Sequence, residues 1–329
     1  MTAIAATMQA FFTERLIGQR RASPHTIAAY RDTLRLLLGF AAEHAGTPPC
    51  RLDIADLNAP LIGAFLDHIE HGRGNSIRTR NARLAAVRSL FAFAALRHPE
   101  HAADIARVLA IPAKRGDQAI VTFLTDAEAE ALLAAPDRAT RTGRRDHAWI
   151  QLAIQTGLRA SELTGLTCRD VHPGAGAYIA CTGKGRKDRI TPLTPATAAT
   201  LEAWLAERAG KPDDPLFPTT RGGPMSRDAL QQRLRIYATT ARHPCPPLAS
   251  KNITPHVLRH TAAMRLLHAG VDITVIALWL GHESVRTTHI YLAADMMLKE
   301  QALNRTTPLG NTPGRYRPPD QLLAFLEAL

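Results

Sequence analysis

The stretch AYIACTGKGRKDRITPLTP, residues 177–195, decides the fold class of this chain. Two short β-prone runs flank a Gly-Lys-Gly turn, which predicts a β-hairpin with Lys184 at its tip. The segments on both sides of this stretch have helical spacing instead. The sequence therefore predicts a mainly α-helical protein with a small β-sheet or hairpin, which makes the domain that holds the hairpin an α+β domain.

The helices nearest the hairpin are delimited by their end residues. TPATAATLEAWLAERAG (194–210) and TPHVLRHTAAMRLLHAG (254–270) each open with Thr-Pro and close with Gly. Threonine can cap a helix, proline fits its first turn, and glycine commonly ends it. A further helix is predicted after Thr125, because Glu128 three residues later completes a capping box.

The amino-terminal part of the chain predicts a separate helical bundle. In SPHTIAAYRDTLRLLLGFAAEHAG (23–46), Ser23 can cap, Pro24 fits the first turn and Gly46 can end the helix. The segment 75–99 repeats its apolar residues at spacings of three and four, which gives one apolar face. That face comprises Leu84, Val87, Leu90, Phe91 and Ala94. Four arginines of the same segment are expected to leave a basic surface: Arg78, Arg80, Arg83 and Arg88.

Between these two parts, IPAKRGDQAIVTF (111–123) breaks the helical pattern with Pro112 and Gly116 and reads as a linker. We therefore predict a helical domain over 1–112, a linker over 113–122 and a second domain over 123–300. The remainder, 301–329, is predicted to be an extended arm that ends in a short apolar helix, QLLAFLEAL.

The composition fits two globular domains and a polyanionic partner. The chain has 329 residues, of which 46% are apolar, and 40 Lys and Arg against 29 Asp and Glu give a net charge of +11. Such an excess most often serves nucleic acid binding, and the alternative is a basic surface kept for solubility. The four cysteines form no C-x-x-C pair, so we expect reduced thiols and no zinc knuckle. Without a signal peptide or a membrane span, we expect a cytoplasmic protein.

Three motifs carry residues suited to phosphate chemistry. In HVLRH, His256 and Arg259 fall on one face near a helix start, where free N–H groups favour an anion. His256 and His260 also have a spacing that can hold zinc, but the motif lacks the glutamate of metalloproteases, so no metal is predicted. In QTGLRASELTGL (155–166), Glu162 can orient the guanidinium of Arg159; the alternative is a solvated ion pair. In LWLGHESVRTTHIYL (278–292), the histidine His282 follows a glycine, and a lone tyrosine comes nine positions later.

Four motifs, taken in order, resemble those of the tyrosine recombinase (phage integrase) family, and their sequences are most similar to the Xer-type resolvases. The motifs are TGLRASELTGL, TGKGRKDR, HVLRH and LGHESVRTTHIY. The resemblance covers about residues 123–295, and the amino-terminal bundle resembles the core-binding domain more loosely. It implies the two-domain tyrosine recombinase architecture, with the arginines of segment 75–99 facing DNA. By resemblance the catalytic residues are Arg159, Lys184, His256, Arg259, His282 and the nucleophile Tyr291.

The resemblance implies a site-specific DNA recombinase that acts through a 3′-phosphotyrosyl intermediate and four protomers on two duplexes, with a second recombinase or an accessory protein as a further possible partner. Two arginines would grip the phosphate oxygens as charge develops, and Glu162 would support them. His256 is the best candidate base, His282 can hydrogen-bond the phosphate, and Lys184 is the plausible proton donor. No cofactor is expected. The alternatives are a type IB topoisomerase-like enzyme and a non-catalytic DNA-binding protein.

Overall fold

The computed structural model describes residues 3–116, 121–183 and 188–281, together with Thr288 and Tyr291. The chain divides into two compact units, Met1–Ala119 and Ile120–Leu329, and each has its own hydrophobic core. The predicted sites Lys184 and His282, and the predicted arm and helix over 301–329, lie outside the described residues. The finer predicted division into four segments stays a prediction.

The regular secondary structure in the described part of the first unit is all helical. Its α-helices are α1 (Ala3–Ala10), α2 (Pro24–Ala45), α3 (Ala59–Asp67), α4 (Ile77–Ala94) and α5 (Ala102–Ala110). A π-helical segment, Phe11–Gln19, continues α1 directly. The predicted ends of α2 are confirmed, because the Ser23 side chain accepts from the backbone N–H of Thr26 and Gly46 takes a left-handed φ of 60°.

The core of this unit forms around α4. The predicted apolar face is confirmed: Leu84, Val87, Leu90, Phe91 and Ala94 are all buried. They pack in one cluster with residues of α2, α3 and α5. The spacing of apolar residues was sufficient here because a helix that buries one stripe needs only that stripe to be continuous.

The expectation that the four arginines of α4 leave a basic surface is wrong for Arg80. Its side chain is 7% exposed, with Nε 3.6 Å from a carboxylate oxygen of Glu70, and the residue counts among the buried ones. The guanidiniums of Arg83 and Arg88 are half-buried and donate to Thr33 Oγ1 and to the Ile111 carbonyl. Long arginine stems can lie along apolar surface and satisfy internal carbonyls, which spacing alone does not reveal. Arg78 is exposed as predicted.

The second unit combines helices with one small sheet. Its helices are α6 (Asp126–Ala134), α7 (Arg141–Thr156), α8 (Ala160–Gly165), α9 (Pro195–Arg208), α10 (Arg227–Ala241), α11 (Pro255–His268) and α12 (Ile273–Leu280). The capping box of Thr125 and Glu128 at α6 is confirmed. Glycine was predicted to end α9, and this is wrong by one residue, because Ala209 takes the left-handed conformation there with a φ of 51°.

The sheet is antiparallel and has the order β1-β2-β3, with β1 Val171–His172, β2 Tyr178–Thr182 and β3 Asp188–Pro192. Its central register pairs Ile179 with Val171 on one side and with Thr191 on the other. The predicted hairpin is confirmed as β2 and β3. A two-residue strand such as β1 is too short for a sequence pattern to reveal.

Trp149 is fully buried in the larger core cluster of this unit. Its indole N–H donates to Asp146 at 3.0 Å, and the Tyr237 hydroxyl donates to the same carboxylate at 2.6 Å. Helix α7, which carries Trp149, packs against α9 and α11. These contacts fix the carboxyl end of α7 beside α11. Among the residues described, none of the helices combines the length and apolar character that a membrane crossing requires.

Candidate active site

The site forms where the carboxyl ends of α7 and α12 meet the side of α11. Helix α7 ends at Gly157, whose φ is 65°. A Cβ atom there would lie 2.6 Å from a methyl carbon of Leu280 and 3.1 Å from the Cβ of Ala262. Glycine is therefore required twice, for the left-handed conformation and for the close approach of α11 and α12. The next residues, Leu158 and Arg159, lead directly into α8.

Glu162 anchors two guanidiniums from inside the fold. Its carboxylate, 4% exposed, accepts from Arg159 Nη1 at 2.8 Å and from Arg189 Nη2 at 2.8 Å. It also accepts from the backbone N–H of Arg159 at 2.8 Å, which closes a capping box on α8. A surface ion pair was the alternative reading of Arg159 and Glu162, and the burial of the carboxylate rules it out. Charge-assisted bonds to a buried carboxylate fix both guanidiniums in orientation.

Arg259 lies deeper, between the two helix ends. It is buried and donates through Nη1 to the Gly157 carbonyl and through Nη2 to the Leu280 carbonyl, both at 2.6 Å. The Leu280 carbonyl also accepts from Arg189, and the next carbonyl, of Gly281, accepts from Arg159 Nη2 at 3.2 Å. The last carbonyls of a helix have no partner within the helix and carry partial negative charge. The ends of α7 and α12 thus hold three guanidiniums together.

The cluster of Arg159, Arg189 and Arg259 is cationic, because it sets three guanidiniums against the single carboxylate of Glu162. Burial, and then repulsion from Arg159 and Arg189, lowers the pKa of Arg259 to about 10. A guanidinium with that pKa is still charged at neutral pH. An anion that enters the cluster would relieve the repulsion, so the site favours a phosphate group.

Tyr291 lies buried beside this cluster. Its residue exposure is 1%, and its hydroxyl lies 3.0 Å from Nδ1 of His260 on α11. Burial raises the pKa of the Tyr291 phenol, against the opposing effect of the positive charges of Arg259 and Arg159. The phenol is therefore protonated at neutral pH, close to the charges that would stabilise its ionised form.

Two histidines of α11 lie near the phenol, with His260 next to Tyr291 and His256 next to His260. The rings of His256 and His260 stack with centroids 5.6 Å apart, and the His260 ring meets Tyr291 edge to face at 5.5 Å. Burial, followed by the neighbouring His256 and Arg259, lowers the pKa of His260 to about 4. His260 is consequently uncharged at neutral pH. Among the described residues, no third side chain lies close enough to these two histidines to complete a zinc site.

The structure brings together four of the predicted residues, Arg159, Glu162, Arg259 and Tyr291, with His256 one ring further away. The predicted Lys184 and His282 belong to the parts that the structure leaves undescribed. The predicted arginines of α4 belong to the other unit. Their catalytic and DNA-binding roles remain proposals.

Sequence reasoning missed Arg189 and missed the contact of His260 with Tyr291. Arg189 stands inside the motif TGKGRKDR, and on β3 it alternates with Ile190, which is 66% exposed. The arginine therefore takes the inward position and the isoleucine the outward one, against the usual pattern. The signal in the sequence was a charged residue, Arg189, within a predicted strand. His260 was considered only as a metal ligand.

Comparison with known proteins places this arrangement in one family. Residues 122–297 match the Phage integrase family, and residues 10–98 match the phage integrase N-terminal SAM-like domain. The chain belongs to the phage integrase family. The resemblance read from the sequence is thus confirmed, and so is the two-domain tyrosine recombinase fold with its helical amino-terminal domain. As a member, the protein is a site-specific DNA recombinase that breaks and rejoins DNA strands.

Relatives of this integrase match over most of their length. It is 52% identical over 326 residues to the integrase/recombinase y4rC of Sinorhizobium fredii, with 99% of this chain and 98% of that protein covered. It is 32% identical over 284 residues to the tyrosine recombinase XerC of Xanthomonas campestris, with 86% and 83% covered.

Solved structures share the fold of this integrase. The XerH recombinase bound to its difH substrate superposes with a TM-score of 0.67 at 22% identity, covering 91% of this chain and 84% of that one. The Tn1549 transposon integrase in complex with a circular intermediate DNA gives 0.67 at 19% identity, covering 91% and 99%.

Proposed function

We propose that Tyr291 is the nucleophile of strand cleavage and forms a covalent 3′-phosphotyrosyl link to the cut DNA strand. The observation that carries this proposal is the position of its hydroxyl, buried beside the cluster of Arg159, Arg189 and Arg259. Attack on a phosphodiester needs a phenolate and builds charge on the nonbridging oxygens, and a cationic cluster favours both. The covalent link conserves the bond energy until another 5′ hydroxyl attacks.

Arg159 and Arg259 would hold the nonbridging oxygens of the scissile phosphate. Both guanidiniums use part of their donors on carbonyls at the helix ends, and a guanidinium has five N–H donors in all. Glu162 would keep Arg159 in its orientation through the bond from Nη1. This clamp stabilises charge that develops only during the reaction, which is where binding accelerates a chemical step.

The remaining predicted residues would handle protons and hydrogen bonds around the phosphate. Lys184, which lies in the sequence between β2 and β3, is the proposed donor of a proton to the departing 5′ oxygen. His256 and His282 are proposed to contact the phosphate or to transfer protons. Their residue types fit these tasks, since a lysine or histidine can donate a proton to a leaving oxygen.

On DNA we propose that the first unit and the catalytic unit bind one duplex and that four protomers assemble on two duplexes, and we propose that the protein acts in the cytoplasm. Among the solved structures with this fold, a lambda integrase is a dimer bound to a COC′ core site, which supports binding of DNA by more than one protomer. A second recombinase or an accessory protein is proposed as a further partner. The exposed Arg78 is proposed as a DNA contact.

The nucleophile is tested with a nicked duplex that traps the covalent intermediate. The duplex is selected from a random-sequence pool by covalent capture with the unmodified protein. Tyr291→Phe should bind this duplex with normal affinity and give no adduct that survives SDS. Tyr237→Phe is the matched control, because that tyrosine is also buried and hydrogen-bonded. An adduct from Tyr291→Phe, together with none from Tyr237→Phe, would place the nucleophile elsewhere.

A further inference from the structure

The phenol of Tyr291 is hydrogen-bonded to a side chain that has no task in the mechanism above. Nδ1 of His260 lies 3.0 Å from the Tyr291 hydroxyl oxygen, within the range of a direct hydrogen bond. The residue exposure of Tyr291 is 1%, so solvent hardly reaches this hydroxyl. His260 is therefore within direct hydrogen-bonding reach of the proposed nucleophile.

The ionisation of both groups fits a bond from the phenol to the imidazole. Burial raises the pKa of Tyr291, so the phenol keeps its proton at neutral pH. Burial, then His256 and Arg259, lowers the pKa of His260 to about 4, so its ring is uncharged. An uncharged imidazole has one nitrogen that accepts and one that donates. The phenol donates to Nδ1 when the imidazole proton is on Nε2.

We propose that His260 is the general base of strand cleavage and accepts the phenolic proton of Tyr291 at Nδ1. This rests on the proposed role of Tyr291 as nucleophile. The O–H bond of Tyr291 breaks as its oxygen bonds to phosphorus, and an N–H bond forms on His260. The bond from phosphorus to the 5′ oxygen breaks, and that oxygen takes a proton from the general acid. When the strand is rejoined, the imidazolium returns its proton to the phenolate.

Binding of DNA would strengthen this base. Within the described part of the chain, the groups that face His260 are His256 and Arg259 of its own helix and the phenol of Tyr291, and the charged ones among them disfavour an imidazolium. A phosphodiester held by Arg159 and Arg259 brings a negative charge that offsets those neighbours. The imidazole therefore gains basicity when the scissile phosphate arrives, and it is a weak base before that.

The protonation state can be tested without any DNA. In the full chain with ¹⁵N-labelled histidine, NMR should show His260 with an unprotonated Nδ1 and a protonated Nε2, assigned by comparison with His260→Asn. The Nδ1 signal should shift in Tyr291→Phe, which lacks the donor. A proton on Nδ1, or an Nδ1 signal that is the same in Tyr291→Phe, would overturn the proposal. This result is independent of which residue attacks DNA.

The chemical role is tested by the rate of adduct formation on the nicked duplex selected by covalent capture. His260→Asn retains an acceptor oxygen near the position of Nδ1 but takes up no proton at neutral pH. We expect adduct formation to slow by about 100-fold or more, which is the usual contribution of a general base. Incorporation of 3,5-difluorotyrosine at position 291 should restore most of that loss, because the more acidic phenol needs less help to ionise.

His256→Asn, one helical turn away, is the matched control and should gain no comparable rescue from the fluorinated tyrosine. A near-normal rate for His260→Asn, a slow rate without rescue, or rescue confined to His256→Asn would each overturn the proposal. An adduct in Tyr291→Phe would instead defeat the proposed nucleophile. If His260→Asn does not fold, the signal that shifts in Tyr291→Phe assigns Nδ1 of His260, and the NMR comparison of that variant with the unmodified chain decides.

Discussion

Glu162 is the residue on which the electrostatics of the site depend. Its carboxylate is nearly inaccessible to solvent and bonds to Arg159 and Arg189, while a third guanidinium, of Arg259, lies close enough to repel both. A buried charge is tolerated only when it is paired, and removal of one partner leaves the other unpaired. The three guanidiniums therefore need this carboxylate to stay together.

Glu162→Gln should destabilise the second unit by about 3 kcal/mol, because two of the three guanidiniums lose their counter-charge while the side-chain shape is kept. Urea unfolding followed by tryptophan fluorescence measures this, since Trp149, Trp204 and Trp279 all lie in that unit. Glu202→Gln, at an exposed position on α9, is the control and should change stability little. Equal effects of the two variants would contradict the role given to Glu162.

Lys184 can be separated from the arginines by the chemistry of the leaving group. If Lys184 protonates the departing 5′ oxygen, a substrate with sulfur at that bridging position should restore cleavage by Lys184→Ala, because a thiol with a pKa of about 8.5 leaves readily as thiolate. Arg159→Ala and Arg259→Ala should stay slow on this substrate, with a loss of roughly 3 kcal/mol of transition-state stabilisation. Cleavage rates of both substrates measure this, and an unrescued Lys184→Ala would reduce the lysine to a structural contact.

At this scale the sequence predicted residue types well and partners less well. Arg159, Glu162, Arg259 and Tyr291 were singled out from their motifs, and the structure gathers them. Arg189 and the contact of His260 with Tyr291 were missed, because each depends on a partner that is 27 or 31 positions away in the chain. Spacing within a single helix cannot show which distant element will pack against it.

Among the secondary-structure elements, the helix ends determine the geometry of the site. The carbonyl at the end of α7 and the two at the end of α12 hold three guanidiniums, and Gly157 allows these ends to approach. The amino-terminal capping residues of α2, α6, α9 and α11 were predictable, because a cap is a local interaction within a few residues. The mutual approach of α7, α11 and α12 was not, because it depends on packing.

Gly157→Ala should destabilise the second unit more than Gly270→Ala. Both glycines have positive φ, of 65° and 79°, so both changes carry the conformational cost of about 1 kcal/mol. At Gly270 nothing lies within 4 Å of an added Cβ, whereas at Gly157 the new methyl meets Leu280 and Ala262. Overpacking should add roughly 1 to 3 kcal/mol at Gly157. Urea unfolding of the two variants measures the difference in their free energies of unfolding. Equal losses of stability would mean that α12 shifts away from the new methyl group without a cost in free energy.

On the scale of the whole molecule, the net charge of +11 should dominate DNA affinity. If the two units together contact on the order of 6 to 10 phosphates, the affinity should fall by roughly 10³ or more between about 50 and 200 mM salt. Binding titrations across that range measure the slope of log affinity against log salt. If the DNA affinity did not change with salt concentration, the positive charge would serve solubility and not DNA binding.

The structure supplies a matched pair of variants for this measurement. Arg78 is exposed, whereas Arg80 is buried beside Glu70. Arg78→Ala should reduce the salt slope by about one if its guanidinium contacts a phosphate. Arg80→Ala should leave the slope unchanged, because its charge is already used inside the protein. If the salt slope fell only in the Arg80 variant, the proposal that Arg78 contacts DNA and Arg80 does not would be wrong.

The peptide groups of Leu280 and Gly281 have a double position in the chain. Their carbonyls accept hydrogen bonds from Arg159, Arg189 and Arg259. They also begin the stretch that reaches Tyr291, ten residues after Gly281. An anion that draws the guanidiniums away from these carbonyls therefore acts on the same peptide groups at which the segment leading to Tyr291 begins. Linked equilibria of this kind are reciprocal: whatever phosphate occupancy does to the placement of the phenol, displacement of the phenol must do to phosphate affinity by the same factor.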